Sequence, residues 1–480
     1  MVAPIIIVGG GIAGLVFASE AARRGRRVLL LEQSQTLGGL TRSLEINGCL
    51  VDLGPHLLHL RDPQVADATR KIVPADQWVK IVRRGKLYLA GHYVDWPLRA
   101  SSAWQIPPAL AARILLDQLA KRPRPTSASF ADELSSVYGP TLFHALFEPL
   151  GRKFLKEDPT QIHADWAYAS IRAATKIEDR SFQQSQQYLV DTAGTDTQRD
   201  FNVVRFVMNA LRTNLEDEEF YYFKDGFGVL AHAYADDLRR HGGELRRGTT
   251  VESLRIDDGR ITHCRIDGQE VACDHVVWAG SLKALADRLS ITLPPLQYLH
   301  TKLVYYFLNP CRMAYQCCYY ADPTVSFNRA TILSNHAKTI IRNPSYSDVL
   351  CVEYTYRSPE AMAQHAHTLT LEVVAELTRL RLIKDRRDIV DVHVENVPYT
   401  YPVLTLSYKE HMAAVGASLS RFSNLLTLGR QGRFSYENSD IIIGEVLRHP
   451  FFNQADAPRP MDEQPLIQPA WAADPAPEAV

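Results

Sequence analysis

Three glycines spaced Gly9-x-Gly11-x-x-Gly14 follow the apolar run Ile5 to Val8 and open a stretch of helical composition, Ile12 to Arg24. Where a strand meets a helix, each glycine has its own task. Gly9 allows a tight turn, Gly11 lets the backbone approach a pyrophosphate, and Gly14 lets the helix pack closely on the strand. Free N–H groups of the first helical turn, which begins at Ile12 and Ala13, and the helix dipole then favour a diphosphate. Glu32 ends the second apolar run, Val28 to Leu31, where a carboxylate accepts hydrogen bonds from ribose hydroxyls, with Gln33 beside it. This set predicts a bound dinucleotide.

A second glycine pair decides which one. In Leu37-Gly38-Gly39-Leu40-Thr41-Arg42, backbone and a guanidinium can reach the same diphosphate, a feature plain NAD domains do not usually have. The expected cofactor is FAD, held noncovalently. No other Gly-x-Gly-x-x-Gly follows a strand, so no dedicated nicotinamide domain is expected, and electrons would come from an organic substrate or a diffusible reductant. Near the other end of the chain, Gly429-Arg430-Gln431-Gly432-Arg433 carries two arginines. A reduced flavin is negative near N1 and O2, and a guanidinium plus a helix N-terminus favours that form. Arg430 is the first candidate for this role and Arg433 the second. His56 and His59 share a glycine-proline loop with little else that ionises. A histidine there can donate to a flavin, hold an oxyanion or move a proton near neutral pH; for His59, surface packing competes evenly with that reading.

The elements that must position these residues follow from pattern. The first 60 residues are strand, turn, helix, strand. From about Asp62 to Asn214 the texture is helical, without β-rich runs. Pro107-Pro108 precedes a stretch with Leu110, Ile114, Leu115 and Leu119 on one face, and Pro123 and Pro125 stop it. Around Phe220 to Leu285 the α/β pattern returns, with Gly226-Phe227-Gly228 leading into a helix and a hairpin at Asp257-Asp258-Gly259. Alternating and aromatic runs then fill about 295 to 396. The expected division is an FAD domain from 1–62, 215–294 and 397–450, a helical insert at 63–214, a mixed-sheet substrate domain at 295–396, and a proline-rich disordered tail at 451–480.

Tyr305, Tyr319, Glu353, Tyr354, Tyr356, Arg357 and Tyr401 lie in or beside the strands of the substrate domain, where some face a pocket while their neighbours face the core. For any single tyrosine among them, core packing is the default. Arg172 and Arg329 complete the set of candidate substrate-binding residues, with Tyr354, Arg357 and Tyr401.

Composition excludes several classes. Lys plus Arg (53) nearly balances Asp plus Glu (54), which leaves no net field for nucleic acid or an anionic membrane. No run approaches the roughly 20 apolar residues of a membrane span, and no signal peptide is evident, so a cytoplasmic location is expected. Seven cysteines lack metal-ligand spacing and are expected to be reduced thiols, with no metal site. The expected partner is a small-molecule substrate, with neither nucleic acid nor membrane, and a homodimer as the one macromolecular assembly left open.

The run from Gly9 through Arg42, continued by Val51-Asp52-Leu53-Gly54-Pro55-His56-Leu57-Leu58-His59, resembles the flavoprotein superfamily of amine oxidases, protoporphyrinogen oxidases, phytoene-type desaturases and UDP-galactopyranose mutases. The Gly-Pro-His-x-x-His segment is most similar to the mutase branch. The resemblance implies an α/β fold with a glutathione reductase-like Rossmann domain, and it lays the loop of Gly54, Pro55 and His56 against the flavin ring. It also implies that the Val251 backbone contacts the adenine. In the segment from Gly429 to Tyr436, an arginine and the N-terminus of the last helix, at Asn438 and Ser439, would face the flavin pyrimidine and diphosphate. Two positions depart from the pattern: Asp225 replaces the first of two adjacent glycines, and Ser439 replaces a methionine. Arg152 and Lys153 resemble a basic segment of mutase-like relatives.

The leading expectation is an FAD-dependent oxidase or desaturase that takes a hydride from a C–N, C–O or C–C bond. The alternative is a non-redox nucleotide-sugar mutase working with reduced flavin, which predicts arginines for a diphosphate among Arg172, Arg329 and Arg357. A flavin-binding protein without turnover is the third class.

Overall fold

The computed structural model describes residues 3–82, 84–96, 98, 100–120, 128–170, 219–309, 313–364 and 371–453. It opens with strand Ile5–Val8, helix Ile12–Arg23 and strand Val28–Glu32, and every residue of both strands is buried. Strands so uniformly apolar suit a parallel sheet covered on both faces. That sheet has five parallel strands in the spatial order Glu244–Arg247, Val28–Glu32, Ile5–Val8, His275–Trp278 and Leu425–Thr427. It therefore draws on three separated stretches of chain. The first helix packs against helices Val229–Arg240 and Ser439–Leu447. Asp237, fully buried, accepts from Ser19 Oγ at 2.5 Å and Arg23 Nε at 2.6 Å, which compensates the carboxylate and fixes the helix pair. Strands Val251–Asp257 and Arg260–Ile266 turn through Asp258 and Gly259, at φ of 47° and 69°, the two-residue hairpin that Asp-Gly favours.

A second sheet of seven strands runs in the order Ile389–Pro402, Tyr298–Leu308, Asp348–Tyr356, Arg329–Ile332, Cys317–Tyr320, Gly85–Leu89 and His92–Trp96. One face, with Leu303, Tyr305, Val349 and Cys351, packs toward the first domain. The other face, with Val304, Tyr306, Leu350, Val352 and Tyr354, closes a separate core with Leu377 and Ile383. The longest pairing is interrupted where Leu299 stands opposite Tyr401 and Thr301 opposite Val397. In the resulting bulge Tyr399 takes φ of 55° and donates its N–H to His300 Nδ1 at 3.1 Å.

The expectation of a purely helical insert is corrected. Strands Trp78–Val82, Gly85–Leu89 and His92–Trp96 fall inside 63–214, and the last two join the seven-stranded sheet. The last two are only five residues each and carry lysine, histidine and aspartate, so they do not stand out as β-rich runs in the sequence. Ala90 and Gly91, both with positive φ, make the turn between them. The sheet thus reaches beyond 295–396 at both ends. Helices Pro108–Leu119, Phe130–Tyr138 and Glu148–Leu155 do follow. The first rests on the core through Leu110 and Ile114, whereas Leu115 and Leu119 are exposed rather than sharing that face. Residues 171–218, which include Arg172, and the tail from 454 lie outside the described residues. Among those described, no helix is long and apolar enough to cross a membrane.

Candidate functional site

The N-terminal glycines form a cradle. A side chain at Gly14 would put its Cβ 2.0 Å from the Gly9 carbonyl oxygen, so helix and strand can approach only through glycine here. A Cβ at Gly11 would meet nothing within 4 Å, which leaves open space over the helix N-terminus. That helix has Gly11 as its N-cap with no side-chain hydrogen bond, so its first N–H groups are available to an anion. Ile12 and Ala13, in the first turn, are buried. Gly38 donates its N–H to the Gly10 carbonyl at 2.8 Å and pairs with Gly11, which brings the second glycine turn against the first. In that turn Thr41 Oγ1 donates to the Gly38 carbonyl at 2.8 Å, and Leu40 is half-buried. Arg42 donates to the Gly39 carbonyl at 2.9 Å and lies 3.7 Å from Glu395 of the second sheet. Glu32 accepts from the N–H of Gly10 at 2.7 Å and of Ser34 at 2.8 Å, each through a different oxygen, and each oxygen keeps a lone pair for a ribose hydroxyl. Gln33 beside it is exposed.

The C-terminal segment docks on the same helix. Gly429 has φ of 68°, and a Cβ there would lie 2.6 Å from the Ala13 Cβ, so this glycine lets Arg430 approach the cradle. Asn438 is the N-cap of helix Ser439–Leu447 and makes no side-chain capping bond, which leaves the first N–H groups of that helix unclaimed by the cap. Val251 is buried, and its carbonyl accepts from Arg288 Nε at 2.6 Å. Open space over a glycine turn, two helix N-termini and a ribose-type carboxylate fit FAD, and FAD is the cofactor.

Above the cradle the loop of Gly54, Pro55 and His56 meets the second sheet. Gly54 takes φ of 84°, and its missing side chain points at the Glu353 carboxylate and the Arg329 guanidinium, 3.4 and 3.8 Å from the Cβ position. His56 is stacked on Phe227, with ring centroids 5.1 Å apart and planes at 28°. Its Nε2 is buried and has no hydrogen-bond partner. Burial first, and then the positive charges of Arg430 and Arg329, push its pKa down to about 3, while the Leu53 and Leu40 backbone acts the other way. His56 is therefore neutral at physiological pH.

Around this imidazole stand aromatic rings and charges closed on each other. Arg329 makes a two-point pair with Glu353, Nε and Nη2 each at 2.7 Å, and donates through Nη1 to the Tyr319 hydroxyl at 3.2 Å. Arg430 lies over Tyr436 at 4.8 Å and Tyr401 at 5.7 Å, and donates to the Glu437 and Thr400 carbonyls. Trp166 stacks on Tyr436 at 5.1 Å, and Phe154 packs on Tyr401 at 5.1 Å. Tyr319, Tyr401 and Tyr436 are only half-buried. The Tyr436 hydroxyl is held far above its ordinary pKa, first by burial and then by the neighbouring Tyr401. These groups make a packed aromatic and charged cluster beside a neutral donor-acceptor, His56.

The structure thus brings together His56, Arg430, Arg329 and Tyr401. It separates the others. His59 sits on the short strand Leu58–His59, edge-on to Phe220 at 4.4 Å. Tyr354 is buried in the core on the far face of the sheet, because it alternates with Glu353. Arg357 is paired with Glu157 at 2.6 Å and lines another cavity, of about 280 Å³, with Tyr298, His300 and Tyr399. Arg433 pairs with Glu445 at 3.2 Å. Tyr436, Trp166 and Phe154 were not singled out from sequence. Tyr436 follows a glycine loop and Trp166 lies in the short helix Asp165–Ser170, and neither position has a periodic pattern to mark it.

The model of a family described as flavin containing amine oxidoreductases matches residues 12–308. The chain is 25% identical over 316 residues to the hydroxyneurosporene desaturase of Rubrivivax gelatinosus, covering 59% of this chain and 54% of that one. It is 24% identical over 317 residues to the coproporphyrinogen III oxidase of Propionibacterium freudenreichii subsp. freudenreichii, covering 60% and 59%. It spans little more than half the length of these relatives. Among solved structures, reduced UDP-galactopyranose mutase superposes with a TM-score of 0.74 at 17% identity, over 95% of this chain and 97% of that one. At that identity the likeness is one of fold.

Proposed function

This chain belongs to the family of flavin containing amine oxidoreductases, and on that premise we propose that it is an FAD-dependent oxidase or desaturase of an apolar, unsaturated organic substrate. Bound FAD supplies a two-electron acceptor. The chain supplies an aromatic wall in which half-buried Tyr401 and Tyr436, the latter backed by buried Trp166, meet a flat substrate. Neutral His56, with its unpaired Nε2, orients the substrate by one hydrogen bond or holds a proton at that nitrogen. Arg430 favours negative charge that develops beside it.

The observation that carries this reading is that Arg329, the guanidinium beside Gly54 and His56, is closed by a two-point pair with Glu353, and that Arg357, which lies away from this site, is paired with Glu157. A nucleotide-sugar mutase needs guanidinium groups free to hold a substrate diphosphate, so these pairs speak against that alternative. The names of the two relatives, a desaturase and a porphyrinogen oxidase, support an oxidoreductase on a conjugated skeleton.

The test is anaerobic bleaching of the bound flavin by a panel of polyenes, porphyrinogens, amines and sugar nucleotides. Bleaching by a polyene or porphyrinogen, with colour restored by oxygen or a quinone, is the expected outcome. Turnover of a sugar nucleotide only after dithionite reduction, without consumption of an acceptor, would replace this reading with the mutase.

A further inference from the structure

Asp52 ends strand Cys49–Asp52 and has no exposed surface. Its carboxylate takes donors from three other places in the chain. Oδ1 accepts from Ser43 Oγ at 2.5 Å and from the Phe227 N–H at 3.0 Å, and Oδ2 accepts from the Tyr222 hydroxyl at 2.5 Å. Its backbone carbonyl accepts from the Tyr305 hydroxyl and the Gly54 N–H, both at 2.8 Å. Ser43 Oγ in turn accepts from the Gly228 N–H at 2.9 Å.

A buried carboxylate is expensive to desolvate, and a well-packed apolar side chain would stabilise the same place at lower cost. What the carboxylate adds is geometry. Its donors fix the turn at Phe227 and Gly228, the start of strand Ser43–Ile46, and strand Glu219–Phe223, all relative to Gly54. Phe227 is the ring on which His56 lies. We infer that Asp52 is a positioning residue for His56: by holding the Phe227 platform and the Gly54 to His56 loop in one register, it sets where the unpaired Nε2 stands. Tyr222 is the adjustable member of the set, because it alone contacts Oδ2. The inference rests on the proposed FAD-dependent function and on the Gly54 to His56 loop lying against the flavin, as the family resemblance implies, and not on the identity of the substrate.

A double-mutant cycle on the FAD-loaded full chain tests it. Asp52→Asn keeps the shape and removes the charge, and is measured alone and with His56→Ala, together with His56→Ala by itself. The readouts are the dissociation constant of FAD, the position of its visible absorption band, and the melting temperature. Asp52→Asn is expected to weaken FAD about tenfold and move the band, since a charged acceptor for three donors is lost. In the His56→Ala background it is expected to change FAD affinity by less than about twofold and leave the band in place. Tyr222→Phe, which removes a single donor, provides the same comparison should Asp52→Asn not fold, with an expected weakening of about threefold. A purely structural Asp52 would lower the melting temperature equally in both backgrounds and leave the band unmoved, and that outcome overturns the inference. If His56→Ala by itself alters neither affinity nor band, the placement of His56 falls and the inference with it. If His56→Ala alters both but Asp52→Asn acts equally in the two backgrounds, only the inference falls.

Discussion

Arg430 lies over the ring of Tyr436, with 4.8 Å between guanidinium carbon and ring centroid, and donates to the Glu437 carbonyl at 2.7 Å. Among the described residues its hydrogen-bond partners are backbone carbonyls, not carboxylates. The cation is thus fixed in place by π-faces and backbone dipoles rather than by a paired carboxylate.

Removing that charge as Arg430→Met should lower the midpoint potential of the bound flavin by about 30–60 mV, equivalent to roughly 1.4–2.8 kcal/mol for two electrons. Arg430→Lys should recover much of the shift but lose the stacking, so its thermal stability should fall below that of the wild type. Redox-dye titration measures the potential. An unchanged potential in Arg430→Met would remove this residue from the flavin site.

Two glycines three positions apart should fail differently. Gly14→Ala must push the first helix off its strand and is expected to cost about 1–3 kcal/mol of stability. Gly11→Ala meets no protein atom, so the fold should melt normally while FAD affinity drops. Melting curves with and without FAD separate the two, and a destabilised Gly11→Ala apoprotein would contradict the open cradle.

The depressed pKa of His56, about 3 against the ordinary 6.5, has a signed consequence. The unfolded chain binds a proton at this residue below pH 6.5 and the folded one does not, so stability is lost as pH falls from 6.5 toward 3. At pH 5 this amounts to about 1–2 kcal/mol. Asp52, raised to about 6 mainly by burial, works in the opposite sense between about pH 4 and 6, because there the folded state holds the extra proton. His56→Phe should therefore be less acid-sensitive than the wild type in urea melts at pH 7 and pH 5. Equal losses in the two proteins would mean that His56 is solvated and protonates freely.

The pair of Arg329 and Glu353 should show strong coupling. Glu353→Gln leaves a guanidinium uncompensated beside His56, and Arg329→Met strands a carboxylate that is almost wholly buried; each is expected to cost about 3–5 kcal/mol. The double replacement by Met and Leu should recover most of that loss. Additive losses in denaturant melts would argue against the pair.

Legibility followed local pattern. The glycine spacing from Gly9 to Gly14 and the Asp258-Gly259 hairpin sit where the backbone conformation or a close approach suits few other residues, so they could be read directly. The aromatic cluster beside His56 could not be read in the same way. Tyr401 and Tyr354 look equivalent in sequence, and what separates them is the face of the sheet, set by a bulge at Tyr399 and by strand register. Arg329 and Arg357 looked like free cations because their partners, Glu353 and Glu157, are distant in sequence. Trp166 reaches Tyr436 across the fold, and no periodicity records such a contact. The strands at 85–96 were hidden by their shortness and by the helical texture around them.

Those same strands set a schedule for synthesis. Gly85 pairs with Cys317, and between Trp96 and that partner the ribosome must add roughly 220 residues, which at about 5–20 residues per second takes on the order of ten to forty seconds. Throughout that interval the hairpin from Gly85 to Trp96 carries an open edge with no strand to meet it. A nascent chain arrested before Cys317 should thus be a chaperone client, and slowing translation between these positions should lengthen its exposure to aggregation.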